Sequence, residues 1–177
     1  MKDKVVLITG SSNGIGRETS FQFAAEKAKV AVTYCNDKQG GQHTEQRCRE
    51  LGASETLLVR LDLRDKKSIV SAVDKVIQTF GKIDILVNNA GVGGGDFVAD
   101  TPIDDQSFVY RVNVEGVYRT TKAFAPLLIE SKGRIVTTGS IAGTVSWPGG
   151  SAYSGSKHWI EAFTDALAGE MAEQGVS

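Results

Sequence analysis

The sequence predicts an α/β fold in which a doubly wound parallel sheet carries helices on both faces. Three observations lead there. Short apolar runs without polar alternation recur with one helical pattern between each pair, as strands buried on both faces read. Several helical patterns end at a glycine, at Gly52 and Gly81, the usual residue just past a helix. The polar and glycine clusters fall after strands, at Thr9 to Gly16, Asp62, Asn88 to Gly91 and Thr138 to Ser140. Each right-handed crossover brings those ends to one edge of the sheet, the edge where ligands sit.

The first strand is Val5, Val6, Leu7 and Ile8, and Gly10, Gly14 and Gly16 follow at once. A chain turning from strand into helix there has no Cβ bulk, and the helix N-terminus aims amide hydrogens at an anion, making a seat for pyrophosphate. The spacing is G-x-x-x-G-x-G rather than G-x-G-x-x-G, so the turn also reads as a plain tight connection. Arg17 to Lys27 carries Phe21, Phe23, Ala24 and Ala25 at mixed helical spacing, and Val30 to Val32 is the second strand. Glu45 to Leu51 is a helix, and Thr56 to Leu61 a third strand closed by Asp62. Ser68 to Phe80 carries one apolar stripe of Ile69, Ala72, Val73, Val76, Ile77 and Phe80. Ile83 to Val87 is the fourth strand, leading into Asn88-Asn89-Ala90-Gly91 and the flexible run Gly93-Gly94-Gly95. A long helix over Ser107 to Ile129, a fifth strand over Arg134 to Thr138, a loop holding Trp147-Pro148-Gly149-Gly150 and a last helix over Ala152 to Gln174 complete the order.

The 177 residues read as one domain, long enough to bury about 70% of the unfolded surface. Twenty basic and 21 acidic side chains leave a net charge of −1, with no basic footprint for nucleic acid. No apolar run is long enough to span a bilayer and the start lacks signal-peptide architecture, so no membrane partner and a cytoplasmic location are expected. Cys35 and Cys48 lack C-x-x-C spacing and read as free thiols, and His43 and His158 are too few and too separated for a metal site.

The candidate chemistry lies in Ser140, Tyr153 and Lys157. Residues i and i+4 share a helix face, so Lys157 can stand beside the phenol of Tyr153. Phenols ionise near pH 10, and a neighbouring cation favours the phenolate, which makes Tyr153 a candidate acid or base towards an alcohol or carbonyl. Ser140, just past the fifth strand, can hydrogen-bond the same oxygen. Taken alone, the pair also reads as surface neighbours with Ser140 a turn residue.

Together, Thr9-Gly10-Ser11-Ser12-Asn13-Gly14-Ile15-Gly16, Asp62-Leu63, Asn88-Asn89-Ala90-Gly91, Asn113 in Asn-Val-Glu-Gly, Ser140 in Thr-Gly-Ser and Tyr153-Ser-Gly-Ser-Lys157 resemble the short-chain dehydrogenases/reductases in order and spacing. The flavour is nearest the 3-oxoacyl-carrier-protein reductase and glucose dehydrogenase branch. The resemblance implies a Rossmann-type sheet and an NAD(P)-dependent oxidoreductase moving a hydride between a nicotinamide and a small carbonyl or alcohol substrate. It implies that Gly10, Ser12, Asn13, Gly14, Ile15 and Gly16 hold the pyrophosphate, and that Asp62 with Leu63 binds adenine. Asn89, with Ala90 and Gly91, lies near the adenosine ribose and steadies the central strands. Tyr153 is the implied acid/base, Lys157 its helper and a ribose ligand, Ser140 the orienter of the substrate oxygen, and Asn113 the anchor of a proton-relaying water.

Tyr34 stands where an acidic residue closing the second strand would bind the ribose hydroxyls of NAD and repel the 2′-phosphate of NADP. Cys35 and Asn36 follow, and Asp37 falls late. The missing carboxylate favours NADP with NAD left open, because Asn13 replaces the basic residue many NADP-using members carry and Arg17 is the nearest substitute. Members run to about 250 residues as single α/β domains of that size do, so the resemblance implies two more strands, a Pro-Gly turn and a substrate-covering segment that this chain lacks. A non-catalytic dinucleotide-binding or interaction module is therefore the alternative expectation, and the fifth strand is expected to leave an exposed edge. The resemblance also implies a homodimer through the two long helices, with Trp159, Phe163, Leu167 and Met171 as its seam.

Overall fold

A computed structural model describes residues 1–177. Five strands alternate with six helices: β1 Val5–Ile8, α1 Gly14–Ala25, β2 Lys29–Tyr34, α2 Lys38–Glu50, β3 Glu55–Arg60, α3 Lys66–Phe80, β4 Ile85–Asn88, α4 Ile103–Tyr110, α5 Val117–Ser131, β5 Arg134–Thr137 and α6 Ser151–Ala172. A π turn, Arg111–Gly116, joins α4 to α5, and a 3₁₀ turn, Ile141–Gly143, follows β5.

All strand pairs are parallel, in the order β3-β2-β1-β4-β5. The chain winds outward from β1 to β3, then crosses back to β4, so the order reverses between β1 and β4. A crevice opens at that switch, beyond the carboxyl ends of the strands. Successive side chains point to opposite faces of a strand. Val5 and Leu7 accordingly join Ile69, Val76, Phe124 and Leu128 in one core layer, while Val6 and Ile8 join Val30, Val32, Ala24 and Cys48 in the other. Two covered faces are why the strands carry no polar alternation.

Three helices differ from the sequence expectation. Helix α1 begins at Gly14 rather than Arg17, so two of the motif glycines lie inside its first turn. Helix α2 begins at Lys38 rather than Glu45, because the Asp37 carboxylate accepts from Gly40 N–H at 2.8 Å and caps it. The long helix expected from Ser107 is broken at 111–116 by the π turn, a device frequent at functional sites. On α6 the expected apolar seam divides. Trp159 stacks on Phe163 at 4.7 Å, and Phe163 meets Tyr118 of α5 at 5.9 Å. Leu167 is buried and Met171 packs on the core, so these two face inward and take no part in an outer seam.

The last residue runs beside β5. Ser177 N–H donates to the Gly133 carbonyl at 3.1 Å, and Ile135 N–H donates to the Ser177 carbonyl at 2.9 Å, while Val136 beyond them is exposed. No helix is long and apolar enough to cross a membrane.

The amino end of the sheet is clamped by Asp84, which is 4% exposed. Its carboxylate accepts from Lys4 Nζ at 2.8 Å, from Lys82 Nζ at 2.9 Å and from Val5 N–H at 2.9 Å. Burial pushes the Asp84 carboxyl up, but these donors outweigh it and hold it below the usual range. A folded-state value below the unfolded one contributes stability that is complete above about pH 4 and is lost as pH falls through the folded value. Asp84→Ala is therefore expected to cost about 2–3 kcal/mol at pH 7 and less at pH 3. Urea unfolding at the two pH values checks this, and an equal cost at both would contradict it.

Candidate functional site

The crevice encloses about 490 Å³. Its walls come from four strand ends: Gly10 and Ser12 to Ile15 after β1, Cys35 to Asp37 after β2, Leu61 to Arg64 after β3, and Asn89 to Val92 after β4, with Phe108 and Val112 from the helical side.

The glycine turn is built for close approach. Gly10 sits at φ +66°, and a Cβ there would lie 2.9 Å from the Ala90 Cα. Its N–H donates to Thr33 Oγ1 at 2.9 Å, and Ser11 Oγ accepts from Thr33 N–H at 2.8 Å, so β2 fixes the turn. On the other side Thr9 Oγ1 accepts from Asn89 N–H and Ala90 N–H, each at 2.9 Å, and Asn89 Nδ2 donates to the Thr9 carbonyl at 2.9 Å. Asn89 thus stitches β1 to β4. Gly14, at φ +54°, and Ile15, which is 68% exposed, open the first turn of α1, where free amide hydrogens face the crevice.

Gly16 and Tyr34 do not line the crevice. A Cβ at Gly16 would lie 2.5 Å from Asn89 Nδ2 and 2.6 Å from the Gly10 carbonyl, so this glycine serves helix-to-turn packing instead. Tyr34 points to the α2 side of the sheet, its Cβ 3.2 Å from where a Cβ of Gly41 would be. Strand alternation turns it away from the crevice. Arg17 is not a free cation for a 2′-phosphate either. Its Nη2 donates to the Ser12 carbonyl and its Nε to Thr44 Oγ1 at 3.2 Å, pinning the glycine turn to α2.

At the β3 end, Asp62 Oδ1 accepts from Arg64 Nε at 2.9 Å and from Arg64 N–H at 3.0 Å, and Oδ2 accepts from Arg64 Nη2 at 2.8 Å. The Arg64 hydrogen bonds outweigh burial and hold the Asp62 carboxyl down at about 2. Burial first, and then the nearby Asp62 charge, push the Cys35 thiol up, so Cys35 is a protonated wall residue at neutral pH.

Lys157, Tyr153 and Ser140 are not among the crevice's lining residues; Ser140 follows β5, and Lys157 reaches back to Thr138 from α6, which also carries Tyr153. The Lys157 side chain is buried at 7% exposure, and its Nζ donates to the Thr138 carbonyl at 2.9 Å while standing 6.0 Å from the Tyr153 ring centroid. The cation thus faces the Tyr153 ring from the next turn of the same helix. Ser140 Oγ accepts from Ala142 N–H at 3.2 Å, which caps the 3₁₀ turn and leaves the hydroxyl hydrogen uncommitted. Thr138 N–H donates to the Asn88 carbonyl at 2.9 Å, which holds this group beside the β4 wall of the crevice.

Asn113, in the π turn, is 2% exposed. Its Nδ2 donates to the Val92 carbonyl at 2.9 Å and to Ser156 Oγ at 3.0 Å, and its Oδ1 accepts from Val92 N–H at 2.9 Å. Both side-chain hydrogens are spent on these bonds. The amide ties the β4 loop to α6, where Ser156 Oγ donates to the Tyr153 carbonyl at 2.7 Å. Asn113→Leu strands the Val92 amide and carbonyl and is expected to destabilise the fold by about 3 kcal/mol. Thermal unfolding reads this, and a loss under about 1 kcal/mol would contradict it.

Sequence reasoning missed Arg64, Ser156, Val92, Phe108 and Val112. Ser156, Arg64, Val92 and Val112 each lie within two residues of a motif position, a signal that was available. Phe108 shows itself only through tertiary contact.

The family model described as short chain dehydrogenase matches residues 4–177. The mouse protein "Dehydrogenase/reductase SDR family member 7B" is 37% identical over 99% of this chain and 55% of its own length. A Schizosaccharomyces pombe "NADP-dependent 3-hydroxy acid dehydrogenase" is 38% identical over 93% of this chain and 64% of its own. Among solved structures, NAD⁺-bound xylitol dehydrogenase superposes with a TM-score of 0.94 at 35% identity, over 99% of this chain and 67% of that one. A Burkholderia phymatum short chain dehydrogenase/reductase in complex with NAD gives 0.94 at 31% identity, over 99% and 63%. The chain therefore spans a little over half the length of the mouse relative.

Proposed function

Because the chain belongs to the short chain dehydrogenase family, we propose that it carries the cofactor seat and the proton-transfer residues of an NAD(P)-dependent oxidoreductase acting on a small carbonyl or alcohol. One observation carries this reading. The Lys157 ammonium, clipped to the Thr138 carbonyl, is held beside the Tyr153 ring at the strand edge that also holds the glycine turn. A binding module has no use for a buried lysine there.

The residues present fit a dinucleotide. Gly10 packs the turn on Ala90 with no room for a Cβ, Gly14 opens onto free space, and the α1 amides point at the place for a pyrophosphate. When bound, the nicotinamide supplies or accepts the hydride. The Tyr153 hydroxyl gives a proton to the carbonyl oxygen in reduction and takes it back in oxidation. The uncommitted Ser140 hydrogen holds that oxygen, and the Lys157 cation favours the phenolate that remains. Asn113 keeps Tyr153 in register through Ser156.

Of the two cofactors, NAD suits the walls better than the NADP favoured by the sequence. Asp37 and Asp62 both line the adenosine end, Arg17 is committed elsewhere, and anionic walls disfavour a 2′-phosphate. Titration of the purified chain with NADH, followed by the quenching of its tryptophans, tests the reading. Saturable micromolar binding is expected, and no binding at millimolar NADH contradicts it.

A homodimer through α5 and α6 completes the proposal. Tyr118, 51% exposed, together with Trp159 and Phe163 offers a self-complementary aromatic patch across both helices. Light scattering at micromolar concentration is expected to read twice the chain mass of 18.9 kDa, and a reading of one mass contradicts it. A reducing, cytoplasmic compartment accords with the two free thiols, Cys35 and Cys48.

A further inference from the structure

Building on the reading that the crevice takes a nicotinamide dinucleotide, we propose that the Asp62–Arg64 pair after β3 sets its choice between NAD and NADP. Asp62 holds the one cation of the adenosine wall away from a 2′-phosphate.

Among the side chains lining the crevice, Arg64 alone is basic, and Asp37 and Asp62 are acidic. The ends of β2 and β3 lie side by side, with Tyr34 in register with Arg60, so Cys35 and Asn36 stand next to Arg64 and its partner. That is the corner where a ribose 2′-substituent would project. There the guanidinium is held by two side-chain hydrogen bonds to Asp62, at 2.9 and 2.8 Å. Its carbon lies 5.3 Å from the Phe108 ring centroid, so an aromatic face backs the same group. Fork-on-carboxylate geometry is the arrangement a guanidinium would otherwise offer to a phosphate.

Two carboxylates against one guanidinium leave the corner with a net charge of −1. A phosphomonoester of charge about −1.5 to −2 at pH 7 is repelled by such a corner, whereas a ribose hydroxyl is not. The usual discriminator, an acid closing the second strand, is absent here, since that position is Tyr34 and it faces α2. Discrimination therefore falls to the next strand. Replacing Asp62 by Asn keeps its shape, removes one negative charge and frees the Arg64 fork.

Isothermal titration of the chain with NADH and with NADPH tests this in wild type, Asp62→Asn, Arg64→Ala and the double variant. The ratio of the two dissociation constants cancels any adenine contact that both nucleotides lose alike. Wild type is expected to favour NADH, and Asp62→Asn to move the ratio towards NADPH by about tenfold, the worth of one charge-assisted contact. Arg64→Ala leaves both carboxylates uncompensated and moves the ratio the other way by about threefold. Adding it to Asp62→Asn erases the gain. Arg64→Ala also decides the matter should Asp62→Asn fail to fold. An unchanged ratio in the single variants, or a gain that survives in the double variant, overturns the proposal while leaving the dinucleotide reading intact. A wild-type chain that binds neither nucleotide overturns both.

Discussion

Tyr153→Phe is expected to bind NADH as wild type does and to lose turnover by about 10²–10⁴-fold, the range for removing a positioned acid or base. The substitution deletes one hydroxyl from a half-buried ring. The backbone of Tyr153 stays held, because Ser156 Oγ donates to its carbonyl at 2.7 Å and Asn113 holds Ser156 in turn. Lys157 keeps its bond to the Thr138 carbonyl. Neither partner needs the phenol, so the fold and the cofactor seat survive while proton transfer does not. Dinucleotide oxidation with a panel of small ketones reads the effect. Turnover equal to wild type would remove Tyr153 from the chemistry.

Gly10→Val is expected to remove dinucleotide binding and about 3 kcal/mol or more of stability together. A branched side chain at φ +66° costs roughly 1–3 kcal/mol in backbone strain. Its Cβ would meet the Ala90 Cα at 2.9 Å and the Ala90 Cβ at 3.0 Å, adding an overpacking cost of similar size. Relief by movement is restricted, since Thr33 holds the Gly10 amide and Thr9 holds both Asn89 and Ala90. Thermal unfolding and NADH titration measure the two losses. A variant that melts with wild type and binds NADH equally would show that the turn has room the structure denies.

Much of this architecture is legible in the sequence because its signals are local. Val5 to Ile8 announces a doubly covered strand, and the glycines after it announce a turn that packs closely. Tyr153 and Lys157 share a helix face by arithmetic alone. What escaped depends on contacts distant in sequence. The π turn has no local signature, because it serves an amide, Asn113, whose partners lie 21 and 43 residues away. Tyr34 closes the second strand as its sequence position suggests, but a strand end says nothing about which face it shows. Arg17 looked free in a string of letters, and only the approach of α2 brings Thr44 to it. The start of α2 was hidden by Gly40 and Gly41, poor helix formers admitted where the helix passes close to the Ser12 carbonyl and to Tyr34.

The most direct measurement follows the hydride itself. Incubating the chain with a small ketone and NADH carrying deuterium at the transferable C4 position, then weighing the alcohol by mass spectrometry, asks whether one strand edge unites cofactor seat and phenol. Deuterium on the carbinol carbon with wild type, and its loss with Tyr153→Phe, is the predicted result. Bound NADH with no deuterium in any alcohol, or labelling that Tyr153→Phe leaves unchanged, would contradict it.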